Sequence, residues 1–383
     1  MNKIRITHVI TGLSTGGAEN VLRQLVMRMD GDAFSNSVIS LTDLGPVARR
    51  IEEVHVPVSA AGFPKSRFRV APVAKLIAAV RRSDPHIVQT WMYHADLIGG
   101  IAAHFFAGVP VIWNLRQSTF DPQSSKKTTV RSARLCARLS NSLPHAIVCG
   151  SNAAHESHVR FGYRPDRMVV VPNGFDTAAF LPDPRYRSDV LRELGVGDEA
   201  FLVGLVARFD PQKDHATFFA AAARLAHHLP HAHFVLCGEG IDDRNNGLRT
   251  LVDAHGLDRQ THFLGLRDGL ASFYPALDVL ALSSSYGEGA PNVLGEAMSC
   301  GVPCVATDIG DAASMIGTTG WIVPCRNADA LAAALRNVAD MSAAQRRQLG
   351  EMARSRIVEE HPINLMVERY EDLYRRVYSQ RYS

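Results

Sequence analysis

The chain has 383 residues, 46% hydrophobic and 21% charged, a composition that excludes a disordered chain and allows two packed domains rather than one core. The net charge is only +3 and no nucleic-acid partner is expected, but the charge is uneven. Residues 1–180 hold 21 Lys+Arg against 12 Asp+Glu, or +9, and residues 181–383 hold 20 against 26, or −6, so one domain is predicted to face something anionic.

The N-terminus, "MNKIRITHVITGL", carries a short strand-like apolar run and no signal-peptide pattern. "TGLSTGGAEN" follows, with Gly16 and Gly17 opening the helix "GGAENVLRQLVMRM". Such a turn lets backbone N–H groups approach a phosphate or sugar closely. An ordinary tight turn is an equal reading, because the spacing matches neither G-x-G-x-x-G nor a P-loop. Asp30-Gly31-Asp32 is the Asp-x-Asp triplet of the chain. It falls where a helix turns into a strand, so turn chemistry explains it and no metal is expected. The longest apolar run, "LIGGIAAHFFAGVPVIW" at 97–113, is too short and too broken to span a membrane and reads as helix, turn, strand.

Short apolar runs alternate with amphipathic helical stretches along the whole chain. "IRITHVI", "SVISL", "HIVQT", "VPVIWNL", "AIVCGS" and "MVVVP" fill the first half; "AFLVGLVA", "HFVLCG", "HFLGL", "DVLALSSS", "VPCVATD" and "GWIVP" fill the second. They show little polar alternation, as expected of parallel strands covered by helices on both faces. The fold class is therefore α/β, two doubly wound Rossmann-like domains. The break is expected in "VPNGFDTAAFLPDP" at 171–184, where a Pro-Asn-Gly turn and two further prolines stop regular structure. The predicted domains are residues 1–172, residues 173–360, and a C-terminal helix at 361–383. In that helix Met366, Tyr370, Leu373, Tyr374, Val377 and Tyr378 share a docking face. The six cysteines form no C-x-x-C pair and read as buried reduced thiols.

Two loops carry chemistry. In "LVARFDPQKDH", Arg208 offers a planar fork of donors and Lys213 a point charge at a helix start, together enough to neutralise a diphosphate; a solvated loop is the alternative. "SYGEGAPNVLGEAMSCGVPC" holds two acids, Glu288 and Glu296, in an otherwise small and apolar segment. Pro291 is placed as the first helical residue and Gly301 as the stop. Glu288 then lies in the loop and Glu296 inside the helix, flanking N–H groups near Gly289 and Ala290 that favour an anion. A ligand with phosphate in the middle and hydroxyls at both ends, a nucleotide-sugar, fits this spacing. The alternative is one capping and one exposed helical glutamate.

"EGAPNVLGE", with "ARFDPQK", "CGEG", "VPNGFD" and "GGAE", resembles the retaining glycosyltransferases of family 4, and "QTWMYHADLIGG" and "WNLRQS" resemble their bacterial surface-polysaccharide branch. The resemblance implies the GT-B fold: two Rossmann-like domains facing across a cleft, an acceptor-side first and a donor-side second, with the last helix crossing back to the first domain. It implies that Arg208 and Lys213 hold the donor diphosphate, Glu296 the ribose and Glu288 the transferred sugar. Ala290, Pro291, Asn292, Val293 and Leu294 would contact sugar and phosphate through the backbone. Gly16 and Gly17 would approach the phosphates, and Gly238 and Leu266 would line the base pocket. Family members often carry a larger residue at Ala290 and a histidine near Asn114 and Arg116, so His94, Asn114 and Arg116 become candidate sugar or acceptor contacts. A structural histidine is an equal reading of His94.

In "SSKKTTVRSARLCARLS", Lys127, Arg131, Arg134 and Arg138 lie on one helix face, either solvated or meeting anionic lipid or a lipid-diphosphate acceptor. The expected activity is metal-independent, cofactor-free, retaining transfer from a nucleoside diphosphate sugar, a UDP-sugar first, to a growing lipid-linked glycan. The expected place is the cytoplasm, on the inner face of the cell membrane. A sugar-nucleotide epimerase or hydrolase, or a non-catalytic nucleotide-sugar sensor, remain as alternatives.

Overall fold

The computed structural model describes residues 3–64, 70–118 and 127–382. Two compact units partition the chain: Met1–Gly174 with Ile363–Ser383, and Phe175–Pro362. The chain thus leaves the first unit at residues 174–175 and re-enters it at 362–363.

The first unit is built on a seven-stranded parallel sheet of order β3-β2-β1-β4-β5-β6-β7. Its strands are β1 Ile4–Ile10, β2 Phe34–Ser40, β3 Val58–Ala60, β4 Ile87–Trp91, β5 Val111–Leu115, β6 Ala146–Cys149 and β7 Met168–Val170. The second is a six-stranded parallel sheet of order β10-β9-β8-β11-β12-β13. It contains β8 Phe201–Val206, β9 Ala232–Cys237, β10 Thr261–Phe263, β11 Val279–Leu282, β12 Cys304–Thr307 and β13 Gly320–Val323. Both orders reverse direction once, which makes each sheet doubly wound and leaves a crevice at the strand carboxyl ends.

The unbroken apolar runs follow from two-sided burial. In β1, Ile6 and Ile10 enter one core cluster and Val9 enters the other. In β8, Leu202 and Val206 face one way while Phe201, Val203 and Leu205 face the other. Successive side chains point to opposite faces, and both faces are covered by helices, so no polar alternation survives. All twelve expected runs are strands. The thirteenth strand, β3, is three residues long, half solvated and at a sheet edge, too short to register in the pattern. The 97–113 run resolves into the helix Tyr93–Ile101, a π-helical turn over Ala102–Ala107 and β5. The last helix, Ile363–Tyr382, buries Met366, Tyr370, Leu373, Tyr374 and Val377 against the first sheet with Ile6, Ile10 and Trp91. Five of the six cysteines are buried and all six are free thiols.

Candidate active site

In the second unit, five loops leave the carboxyl ends of the adjacent strands β10, β9, β8, β11 and β12. The loop after β8 carries Arg208 and Lys213. It is laced to the loop after β11 by two hydrogen bonds, and a third orders that second loop internally. Ser283 Oγ donates to the Lys213 carbonyl at 2.7 Å, the Ser285 N–H donates to the Gln212 carbonyl at 2.8 Å, and Ser284 Oγ donates to Glu288 Oε1 at 2.8 Å. Lys213 Nζ pairs with the same Glu288 oxygen, with side-chain exposures of only 14% and 12%. Burial by itself would push the Glu288 carboxyl up; the Lys213 ammonium, the Ser284 hydroxyl and Arg208 outweigh it and hold the group below the ordinary carboxylate range. Arg208, 47% exposed, bonds Asp210 and Gln212, each at 3.2 Å. A weakly held, solvated guanidinium beside a buried ion pair is a cationic site that a diphosphate can enter at small cost.

The helix Asn292–Ser299 follows the Glu288 loop. Pro291, expected as its first helical residue, instead sits one position outside, in extended backbone (φ −67°, ψ 111°). The helix therefore begins with Asn292, and the Leu294 N–H closes its first turn by donating to the Pro291 carbonyl at 3.2 Å. Gly289, Pro291 and Leu294 are buried, while Ala290, Asn292 and Val293 are half-buried. Glu296, 9% exposed, accepts a hydrogen bond from the Tyr274 hydroxyl at 2.9 Å. Burial and the Glu296 charge push the Tyr274 phenol well above its ordinary value, so it stays a donor. The loop after β12 supports this segment: the Asp311 N–H donates to the Gly289 carbonyl at 2.8 Å. Gly310 has φ +57°, and a Cβ there would collide with the carbonyl oxygens of Glu288 and Gly289.

Gly238, after β9, has φ +149° and lies so close to Ala207 that a Cβ would meet the Arg208 nitrogen at 2.9 Å. Its N–H donates to the Gly265 carbonyl at 2.8 Å, and Leu266, 61% exposed, is the next residue in that loop after β10. Arg208, Lys213, Gly238, Leu266, residues 288–294 and Glu296 thus converge at one edge of the second sheet. The sequence singled out neither Tyr274 nor the two serines, Ser283 and Ser284. Tyr274 sits in "SFYPAL", which carries no charge or glycine signal, and it reaches Glu296 only through packing.

The first unit holds the remaining candidates. Gly16 precedes the helix Gly17–Arg28, in extended backbone at φ −163°. Any residue can adopt that conformation, but a Cβ would press on the Glu19 carboxylate, its Cδ at 3.0 Å. His94 is half-buried at the start of the helix after β4. Asn114 is fully buried and donates to the Tyr370 hydroxyl at 2.8 Å. Arg116 reaches the same hydroxyl at 3.5 Å, bonds Asn173 and lies 5.9 Å over the Trp91 ring. Both side chains therefore fasten the last helix to the sheet. The Asp30 carboxylate accepts the Asp32 N–H at 2.8 Å, closing the helix-to-strand turn. Among the described residues, no three His, Cys, Asp or Glu side chains gather as a metal site.

Residues 15–179 match the family described as Glycosyltransferase Family 4, and residues 200–341 match Glycosyl transferases group 1. The chain is a family 4-type glycosyltransferase with the GT-B fold. The two matches fall one in each unit of this glycosyltransferase. It is 24% identical over 385 residues to a UDP-Gal:alpha-D-GlcNAc-diphosphoundecaprenol alpha-1,3-galactosyltransferase of Escherichia coli, covering 97% of each chain. It is 28% identical over 370 residues to a D-inositol 3-phosphate glycosyltransferase of Geodermatophilus obscurus, covering 86% of this chain and 78% of the other. Among solved structures it resembles HepE from Anabaena, crystallised with UDP and glucose, at a TM-score of 0.84 and 22% identity over 97% of this chain and 99% of that one.

Proposed function

We propose that this glycosyltransferase moves a sugar, with retention and without a metal, from a UDP-sugar to a hydroxyl of a growing lipid-linked glycan in surface-polysaccharide synthesis. The observation that carries the reading is the Lys213–Glu288–Ser284 cluster beside Arg208 at the start of the Asn292–Ser299 helix. In the free chain Lys213 and Glu288 satisfy each other. A nucleotide-sugar satisfies both differently: the diphosphate takes the ammonium, and the sugar hydroxyls take the carboxylate. Glu296, pre-oriented by Tyr274, binds the ribose diol. As the C–O bond to the diphosphate breaks, charge grows on the leaving oxygen, and Arg208, Lys213 and the helix N–H groups stabilise it. The acceptor hydroxyl attacks the same face and gives its proton to the leaving phosphate. Glu288 serves as a hydroxyl acceptor rather than a nucleophile, with Ser284 holding its Oε1 in place.

The acceptor part of the reading draws on the diphosphoundecaprenol substrate named for the Escherichia coli relative. It also draws on the exposed cations Lys127, Arg131, Arg134 and Arg138 along the helix Lys127–Leu139, a surface suited to the anionic inner face of the cell membrane. The residues just before Lys127 in that run lie outside the described residues. No helix among the described residues is long and apolar enough to cross a membrane. The test is a rate assay of labelled UDP-sugars with a polyprenyl-diphosphate glycan acceptor, reading products and anomeric configuration. Transfer with retention is expected. Isomerised or hydrolysed donor without transfer, or binding without turnover, overturns the reading.

A further inference from the structure

The Asn292–Ser299 helix has a notch at Gly295, and the notch is occupied. The Phe175 ring lies against it so closely that a Cβ on Gly295 would collide with three of the ring carbons, Cζ, Cε1 and Cε2. Phe175 is the first residue after the chain enters the second unit, and it is buried with Leu294, Ala297 and Met298. Its backbone is fixed from the other crossing strand: the Phe175 N–H donates to the His361 carbonyl at 2.9 Å, Phe175 bridges to Pro362, and the two aromatic rings meet edge-on at 6.4 Å. A second fastening lies one helical turn on. Arg354 donates to the Thr177 carbonyl at 3.0 Å, to the Phe180 carbonyl at 2.9 Å, and to the Ser299 carbonyl at the end of the same helix.

From this geometry we infer that Phe175 and Gly295 are positioning residues for the donor: the ring seated in the notch sets where the helix start and Glu296 stand. The inference rests on the donor-site reading above. Gly295 adjoins Glu296, and it lies one turn from the N–H groups of Asn292 and Val293. Interiors are close-packed, so a methyl group added at Gly295 must displace either the ring or the helix. The Phe175 backbone is held at His361 and Pro362, so the helix is the part that yields. The displacement passes to Glu296 and the helix start, where a shift of about 1 Å is costly to a preorganised site.

The experiment titrates UDP into the full-length protein by calorimetry, with thermal melts and donor kinetics alongside. The variants are Gly295→Ala, Phe175→Leu, the double variant, and Glu296→Gln. Gly100→Ala in the first unit is the control, since a methyl there presses on Leu143 and Trp113 in the core of the other sheet. Gly295→Ala is expected to weaken UDP about tenfold or more at a temperature where the protein stays folded, raising donor KM with kcat changed less than about threefold. Phe175→Leu alone is expected to weaken UDP by about threefold. The double variant, in which the lost ring atoms make room for the new methyl, should return to within about threefold of the wild type. The control should lower the melting temperature and leave UDP affinity unchanged. The inference is overturned if Gly295→Ala behaves like the control, or if the double variant binds no better than Gly295→Ala. If Gly295→Ala does not fold, unchanged UDP affinity in Phe175→Leu overturns it equally. Wild-type UDP affinity in Glu296→Gln overturns the donor-site reading itself, and this inference with it.

Discussion

Glu288 and Glu296 lie eight residues apart and have opposite partners. Glu288 is held by a cation and a hydroxyl, Glu296 by a phenol. Their amide variants should therefore fail in different ways. Glu296→Gln keeps the side-chain size but loses the charge; it should weaken UDP and UDP-sugar alike, because both contain the ribose. A charged hydrogen bond contributes about 1.5–3 kcal/mol, so the loss should be about tenfold to a hundredfold in calorimetric affinity. Glu288→Gln should leave UDP affinity nearly intact and depress kcat, since UDP lacks the transferred sugar. Equal damage to UDP affinity in both variants would contradict these roles. Tyr274→Phe removes only the hydroxyl that orients Glu296. It should cost UDP less than Glu296→Gln does, with kcat at saturating donor unchanged; a loss in kcat alone would count against an orienting role.

At the scale of elements, the helix Lys127–Leu139 separates its two faces cleanly. Ala133, Cys136 and Ala137 are buried, while Lys127, Arg131, Arg134 and Arg138 are exposed. Changing the four cations together to Gln should leave the fold and the rate on soluble acceptors unaffected, because no core contact is touched. It should weaken co-sedimentation with anionic vesicles. Each basic side chain near such a surface contributes about 1 kcal/mol, and the interaction fades as salt screens it. Sedimentation that ignores both the variant and the salt would mean that the stripe is simply a solvated face. The helix after Pro291 shows what element boundaries depend on. Proline is tolerated both as first helical residue and just before it; here it stands just before, two residues after a Gly289 carbonyl that accepts the Asp311 N–H.

For the whole molecule, stability should fall in mild acid. Burial lowers His8, His158, His215 and His262 to about 4. Between about pH 6.5 and 4 the unfolded chain binds protons at these sites that the folded chain refuses, so their contribution is lost as pH falls. Asp96 acts in the other direction. Burial raises it to about 7, so the folded chain keeps a proton that the unfolded chain releases, and its contribution is lost as pH rises through that value. Four groups oppose one across the window, and thermal melts at fixed ionic strength should give a lower Tm near pH 5 than near pH 7.5. A Tm that is equal or higher in acid would contradict the assignment. On the proposed reading, with Arg208 and Lys213 taking the place of a divalent ion, transfer should also survive EDTA. Complete loss on chelation, restored by Mg²⁺ or Mn²⁺, would rule out the metal-free route.

What the sequence determined by itself was whatever depends on local pattern. The apolar runs specify strands buried on both faces, because helices on both sides of a sheet leave no solvated face to mark. The spacing of Met366, Tyr370, Leu373, Tyr374 and Val377 specifies a helix with one docking face. The motif around Glu288 and Glu296 was legible because charge is expensive in an apolar segment and stands out there. What tertiary structure alone decided were the pairings between residues far apart in the chain. Lys213 meets Glu288 across 75 positions, Tyr274 meets Glu296 across 22, and Asn114 meets Tyr370 across 256. No local period encodes such distances. They arise because parallel strands bring their carboxyl ends to one edge, and because a ring such as that of Phe175 can seat only where a glycine has left it room.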